Sequence, residues 1–257
     1  MISSLAQIDP KAQIGEDVTV EPFAVVHGDV TIGDGTWIGS GAVIYDGARI
    51  GKNCRIFNGA SISAIPQDLK FSGEETVIEI GDNTTVREFA TLNRGTRARG
   101  RTTIGKNCLL MAYVHVAHDC QLGNNVIMVA LSGIAGEVEL GDWVTMGGGS
   151  MVHQFVHIGA HTIIGGGGKV RIDVPPYIKA DREPLAYMGL NTVGLERRGF
   201  TKEKMHELHA IYRAYYNMGM NGSKALEYIS ANFPSTPERD YIIDFITNSK
   251  RGVIRGR

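Results

Sequence analysis

Three cysteines in 257 residues are too few and too scattered for a disulfide framework or a zinc ribbon, and they fit a reducing compartment. No apolar run approaches the roughly 20 residues that a bilayer crossing needs, so no stable membrane insertion is expected. The segment from Met1 to Gly15 lacks a basic stretch followed by an apolar core. No secretory leader is therefore expected, and the cytoplasm is the expected location. Neither sign of charge prevails: 26 Lys and Arg face 27 Asp and Glu, a net of −1. That balance gives no electrostatic reason for a nucleic-acid partner. At 43% hydrophobic and 21% charged, the chain does not have the composition of a disordered one. What it has in excess is glycine, 33 residues, without the period of three that marks collagen.

The glycines punctuate a period of six. From Ile2 to Val170, 29 positions lie on this lattice, and 26 of them carry Ile, Val, Leu or Met; the exceptions are Asp68, Glu74 and Ala98. Two residues before each lattice position stands a smaller side chain, as in Ala12, Val18, Ala24 and Val30. Residues two apart on an extended chain share a face, so the large and small side chains both point inward. Glycine or Asx follows many lattice positions and is expected to supply a corner at positive φ. Six-residue edges closing into 18-residue triangular coils predict a parallel β-helix with an aliphatic interior, about nine coils at roughly 4.8 Å each. Cys54, Cys108 and Cys120 all fall on the small inward position, which argues against a thiol nucleophile.

Two stretches leave the lattice, Pro66–Thr76 and Asn93–Arg101, and are expected as loops ejected from the prism. The second carries Arg94, Arg97, Arg99 and Arg101, either a solvated surface or a dock for an acidic partner. The lattice ends near Val170, and a β-helix over residues 1–183 with an α-helical domain over 184–257 is expected. Helical spacing runs from Thr201 to Met220 with Thr201 as cap. Ser223 is expected to cap a second helix to Ala231, and Thr236-Pro237 to open a third, to about Ser249. Residues 191–257 hold 11 basic against 7 acidic side chains, so the tail is the basic end.

A filled β-helix leaves no interior room for a ligand, so a site must lie on outer faces or between subunits. Flat faces favour a homotrimer. The densest polar cluster is His115-Val116-Ala117-His118-Asp119-Cys120. An Asp beside a His can fix the imidazole tautomer and support a general base. One coil above His118 is Gly136, whose backbone N–H can stabilise an oxyanion. A further coil up are His153 and Gln154. Base, oxyanion donor and polar neighbours on one edge suit acyl transfer by direct attack of an acceptor hydroxyl. Two other readings compete: surface histidines on a non-enzymatic scaffold, and a zinc-dependent hydratase of the carbonic anhydrase kind. For the latter, His115 and His118 on a straight strand stand about 10 Å apart, too far for one ion at about 2 Å per ligand. A corner or a second subunit would have to bring them together.

The six-residue lattice resembles the hexapeptide-repeat acyltransferase superfamily, which implies a left-handed β-helix. Four motifs are more specific: Gln67-Asp68-Leu69-Lys70, His115 to Cys120, His153-Gln154-Phe155, and Asn191 to Phe200. Together they resemble the UDP-N-acetylglucosamine O-acyltransferase family, which takes the first step of lipid A synthesis. The resemblance spans essentially the whole chain. It implies transfer of an (R)-3-hydroxyacyl chain from acyl carrier protein to the glucosamine 3-hydroxyl of UDP-N-acetylglucosamine, with no cofactor. It implies His118 as base, Asp119 as its partner and Gly136 as oxyanion donor. Gln67 and Asp68 would meet substrate, Asp68 at the acyl 3-hydroxyl, with Leu69 and Lys70 near the nucleotide sugar. His115, His153 and Gln154 would line the sugar site, and Asn191 and Arg198 would reach it from the tail. The run Gly165 to Gly168 lies where the family's acyl groove is measured. Glu137, Val193 and Asn93 depart from the family's histidine, glutamate and histidine. Some members acylate the 3-amino group of a diamino sugar nucleotide, and that acceptor stays open here.

Overall fold

The computed structural model describes residues 1–256. Among them, three parallel sheets form the walls of a left-handed triangular β-helix. The first sheet has nine strands, from Gln7–Ile8 to Lys169–Val170, and the second eight, from Gln13–Ile14 to His157–Ile158. The third has ten and runs from Thr19–Val20 through Ile163–Ile164 to Ile178–Asp181 and Ala186–Leu190. Most strands are two residues long, because the chain must turn every six. Stacked coils keep an 18-residue register, as in His115 on Gly133 and Gly133 on Met151.

The periodicity is physically realised in the core. Every lattice Ile, Val, Leu or Met from Val20 to Val170 is buried, whereas Ile2 at the open N-terminal end is 53% exposed. Cys54, Cys108 and Cys120 are buried and unbridged. Burial pushes the thiol of Cys108 up to about 11 and that of Cys120 up to about 12. Neither has thiolate character at neutral pH.

Glycine and Asx hold positive φ at many corners, as at Gly35 (69°), Gly41 (68°), Asp17 (53°), Asn53 (54°), Asn83 (57°) and Asn125 (58°), joined by Trp143 (63°) and His161 (61°). The glycine directly after each second-sheet strand is not among them; the positive φ falls two residues later. Those glycines serve close stacking instead. A Cβ on Gly33 would stand 2.6 Å from the carbonyl carbon of Gly51 in the next coil, and Gly105 meets Gly123 in the same way. Left-handed backbone on so many non-glycine residues is uncommon. It is tolerated here because each corner is hydrogen-bonded to those above and below, as Asn125 N–H to Lys106 O at 2.8 Å.

Both ejected loops exist, but the second is shorter than expected. Asn93 ends the strand Thr91–Asn93 and Arg101 begins the strand Arg101–Ile104, so the excursion covers only 94–100. Pairing continues into these ends because Thr91 and Arg101 each have a neighbouring coil to bond.

The sheet also continues past residue 183: Ala186–Leu190 folds back antiparallel on Ile178–Asp181. Four helices follow among the described residues, α1 (Thr192–Arg197), α2 (Lys202–Asn217), α3 (Gly222–Asn232) and α4 (Pro237–Asn248). The short α1 carries too few apolar repeats to announce itself. Thr201 and Thr236 cap α2 and α4 as expected, but α3 is capped by Asn221, not Ser223. Asn221 Oδ1 accepts from Lys224 N–H at 2.9 Å, which brings Ser223 inside the first turn. The helices close the upper end of the prism: buried Tyr212 donates to Pro176 O at 2.6 Å, and Tyr241 Oη accepts from Ala160 N–H at 3.1 Å. No helix is long and apolar enough to cross a membrane.

Gly33→Ala is expected to cost about 1–3 kcal/mol through overpacking against backbone that cannot yield. Gly149→Asn, at φ 66° with nothing within 4 Å of the new Cβ, is expected to leave the calorimetric midpoint close to the parent's.

Candidate active site

The strand His115–Val116 ends at the corner between the first and second sheets. Its last ladder bond runs from Ala117 N–H to Ile134 O at 3.1 Å, after which the chain turns through His118 and Asp119. Asp119 adopts φ 59° and is fully buried, with its own N–H on Thr102 Oγ1 at 2.8 Å. Its carboxylate is surrounded by donors. Oδ1 accepts from Thr96 N–H at 3.0 Å and Arg99 N–H at 3.2 Å. Oδ2 accepts from the Thr96 hydroxyl at 2.6 Å and lies 2.8 Å from His118 Nδ1. With donors on every side, the carboxylate accepts from Nδ1–H as well. The His118 proton therefore sits on Nδ1, and Nε2 presents a free lone pair.

That lone pair faces the next coil. A Cβ on Gly136 would stand 2.5 Å from His118 Nε2, so only glycine lets the ring occupy this corner. Among the described residues, the Gly136 N–H has no hydrogen-bond partner, although Ala135 and Glu137 on either side are bonded. Asp68, from the first loop, brings Oδ2 to 3.9 Å from Nε2.

Two cavities flank this point. One of about 450 Å³ is lined by Gln67, His115, His118, Gly136, Met151 and Gln154. The other, about 330 Å³, is lined by Asp68, Lys70, Glu74, Thr96, Arg97 and Glu137. His115 turns Nδ1 to Thr91 Oγ1 at 2.8 Å, and burial holds its pKa below the ordinary histidine value. Among the described residues of one chain, no three His, Cys, Asp or Glu converge as a metal site would require.

Thus Gln67, Asp68, Lys70, His115, His118, Asp119, Gly136 and Gln154 gather at one corner. Leu69 and His153 stand exposed beside them, His153 with Nδ1 on the Gln154 carbonyl at 3.2 Å. Asn191 and Arg198 sit apart, at the next corner, where the second sheet meets the third. Asn191 is buried; it caps α1 through Gly194 N–H at 3.1 Å and donates to His161 O at 2.8 Å. Arg198 lays its guanidinium 4.9 Å over Trp143. Arg197, beside it, is exposed.

The arginine loop is not free surface either. Arg94 donates to Asp46 O at 3.0 Å, Arg97 to Ser72 Oγ at 3.0 Å, Arg99 to Glu139 at 2.6 Å and Arg101 to Glu79 at 3.4 Å. Their charges hold the loop on the prism. Thr96, Thr102 and Glu74 escaped the sequence reading, because their bonds join coils and loops that no local spacing relates.

Comparison with known proteins bears on this geometry. The family model described as Udp N-acetylglucosamine O-acyltransferase, Domain 2, matches residues 173–254. That of the bacterial transferase hexapeptide repeat matches 11–44, 29–64 and 101–136. An acyl-[acyl-carrier-protein]–UDP-N-acetylglucosamine O-acyltransferase of Halorhodospira halophila is 42% identical over 251 residues, 97% of each chain. The chain belongs to the UDP-N-acetylglucosamine O-acyltransferase family. A relative of the same name from Chlorobaculum tepidum is 58% identical over 188 residues, 73% of this chain and 71% of that one. The solved UDP-N-acetylglucosamine acyltransferase of Bacteroides fragilis superimposes with a TM-score of 0.97 at 49% identity, over 99% of this chain and 100% of that one. Membership accounts for both the coils and the helical tail, and it makes the chain an acyltransferase.

The tail's seat on the prism carries its own pH dependence. His161 is stacked against Trp143 and Tyr177, with ring centroids 6.4 and 5.5 Å away. Burial, with a smaller contribution from Arg198, pushes it from 6.5 down to about 4. The unfolded chain therefore binds the extra proton first, and stability falls as pH drops from about 6.5 towards 4. His161→Phe is expected to flatten the dependence of the thermal midpoint on pH across that window; an unchanged slope would place the acid sensitivity elsewhere.

Proposed function

We propose that the chain transfers an (R)-3-hydroxyacyl group from acyl carrier protein to the 3-hydroxyl of UDP-N-acetylglucosamine, the first step of lipid A biosynthesis. The observation that carries this reading is the His118 ring, its Nδ1 held by Asp119 and its Nε2 packed against Gly136, whose N–H is unbonded. His118 Nε2 takes the proton of the acceptor hydroxyl as its oxygen attacks the thioester carbonyl. The carbonyl electrons move to oxygen, where the Gly136 N–H receives the developing charge. The intermediate collapses, the C–S bond breaks, and the departing thiolate takes the proton from His118. No covalent enzyme intermediate is needed, in keeping with three buried, inert thiols.

Burial decides which residues serve which substrate. The cavity rising along Ile134, Val152 and Met151 has the apolar lining an acyl chain requires. Asp68 beside His118 suits the acyl 3-hydroxyl. Lys70 and Gln67 at the mouth suit the sugar nucleotide, with His115 and Gln154 on the coils above. Arg198 and Asn191 keep α1 in place, and Arg197 is the guanidinium on that helix free to meet a diphosphate. It stands at the corner next to that of His118, so a homotrimer, with α1 of one subunit at the His118 corner of the next, assembles the complete site. Acyl carrier protein is then a partner met at that cleft, in the cytoplasm.

His118→Ala is expected to lower kcat by about 10²–10⁴-fold with the oligomer intact, measured as sugar-nucleotide-dependent thiol release from 3-hydroxyacyl carrier protein. Retained activity would remove His118 as base, and release requiring a 3-amino acceptor would reassign the substrate. Mixing His118→Ala with Arg197→Ala subunits is expected to restore part of the activity lost in each. Absence of complementation would place both residues in one subunit's site.

A further inference from the structure

We infer that Thr96 is a positioning residue for the general base, acting through Asp119, and that its loop couples the placement of Asp68 to that of His118. The inference rests on the acyl-transfer reading and deepens it.

Thr96 is 7% exposed and reaches His118 through a shared partner, the Asp119 carboxylate. Its hydroxyl has one hydrogen, and the surroundings fix where that hydrogen goes. Ala98 N–H can only donate, and it points at Thr96 Oγ1 from 3.2 Å. The hydroxyl oxygen therefore accepts from Ala98 and gives its own proton to Asp119 Oδ2, at 2.6 Å. That is the oxygen His118 Nδ1 uses, at 2.8 Å. The hydroxyl and the imidazole N–H are the two closest donors to Oδ2. The Thr96 backbone N–H is shared between Oδ1 at 3.0 Å and Oδ2 at 3.1 Å, and Arg99 N–H holds Oδ1. Without the hydroxyl, the carboxylate loses its short, charge-assisted bond, and Oδ2, the imidazole's anchor, is left to the longer, shared contact from the Thr96 backbone.

The same residue joins the two ejected loops. Directly after Thr96, Arg97 N–H donates to Glu74 Oε1 at 3.0 Å, and the Arg97 guanidinium reaches Ser72 Oγ at 3.0 Å. The Ser72 and Arg97 N–H groups, with the Glu74 N–H itself, pull the Glu74 carboxyl down to about 2. Glu74 thus stays an acceptor throughout the physiological range. Asp68, in that first loop, is bound by Lys70 N–H at 3.0 Å. Hydrogen bonds therefore link Glu74, in the same loop as Asp68, through the Arg97–Thr96 backbone and Asp119 to His118. If the first loop shifts when substrate enters, the strain reaches the base through Thr96.

The test compares Thr96→Val, which keeps shape and backbone N–H but lacks the hydroxyl, with Thr96→Ser, which keeps the hydroxyl. In steady-state thiol-release assays Thr96→Val is expected to lose roughly tenfold in kcat, well short of the loss of the base itself. KM for both substrates and the thermal midpoint are expected near the parent's, and Thr96→Ser is expected to restore most of kcat. Should Thr96→Val fail to fold, Thr96→Ala carries the same expectation with less bulk. An unchanged kcat in the hydroxyl-less variants overturns the inference. So does a fall in KM performance and midpoint with kcat retained, or a Ser variant as slow as Val, since either outcome reports loop folding alone. Absence of transfer by the parent protein overturns the acyl-transfer reading and this inference with it.

Discussion

Everything in this molecule depends on the distance at which one coil settles on the next. Backbone hydrogen bonds fix that distance near the strand spacing of about 4.8 Å, and the aliphatic interior keeps the coils in register. The spacing forbids a side chain where Gly33 rests on Gly51. It also forbids one at Gly136, where the His118 ring rests. The same requirement for a missing Cβ thus appears twice, once against backbone and once against an imidazole.

Much of the fold was legible because its signal repeats. A six-residue lattice filled from Val20 to Val170 predicts inward faces, coil size and the burial of all three cysteines. The closeness of His118 and Gly136 was legible for the same reason, since an 18-residue stack relates them by arithmetic. Where the periodicity stops, so does the information. Thr96 meets Asp119 across an ejected loop, and nothing in the spacing of either residue announces the bond. Asn191 and Arg198 lie within a recognisable motif, but their contacts with His161 and Trp143 join parts of the chain that no local spacing relates. The cap of α3 was misplaced by two residues because Asn221 and Ser223 are both competent caps, and only the chain's entry direction selects between them.

Charge follows a similar economy. The arginines of residues 94–101 look like a docking patch on paper, but each finds an acceptor on its own prism. Fixing two flexible excursions beside a reaction centre takes several directional bonds, and guanidinium groups supply them in forked sets. Lys70, Glu137 and Arg197 are among the charged side chains that have no ion-pair partner among the described residues.

The prism is stoppered at one end by Tyr212 and Tyr241 and open at the other, where Ile2 remains half in water. Its strand pairing runs between neighbouring coils, as in other solenoids. Growth or loss of such a molecule is therefore quantised. Eighteen residues added below His27 lengthen the column and leave every corner facing as before. Six residues added at the same place swing all that follows by a third of a turn and send each side chain to the wrong wall. Lineages built on this plan can change height freely, but only in whole storeys.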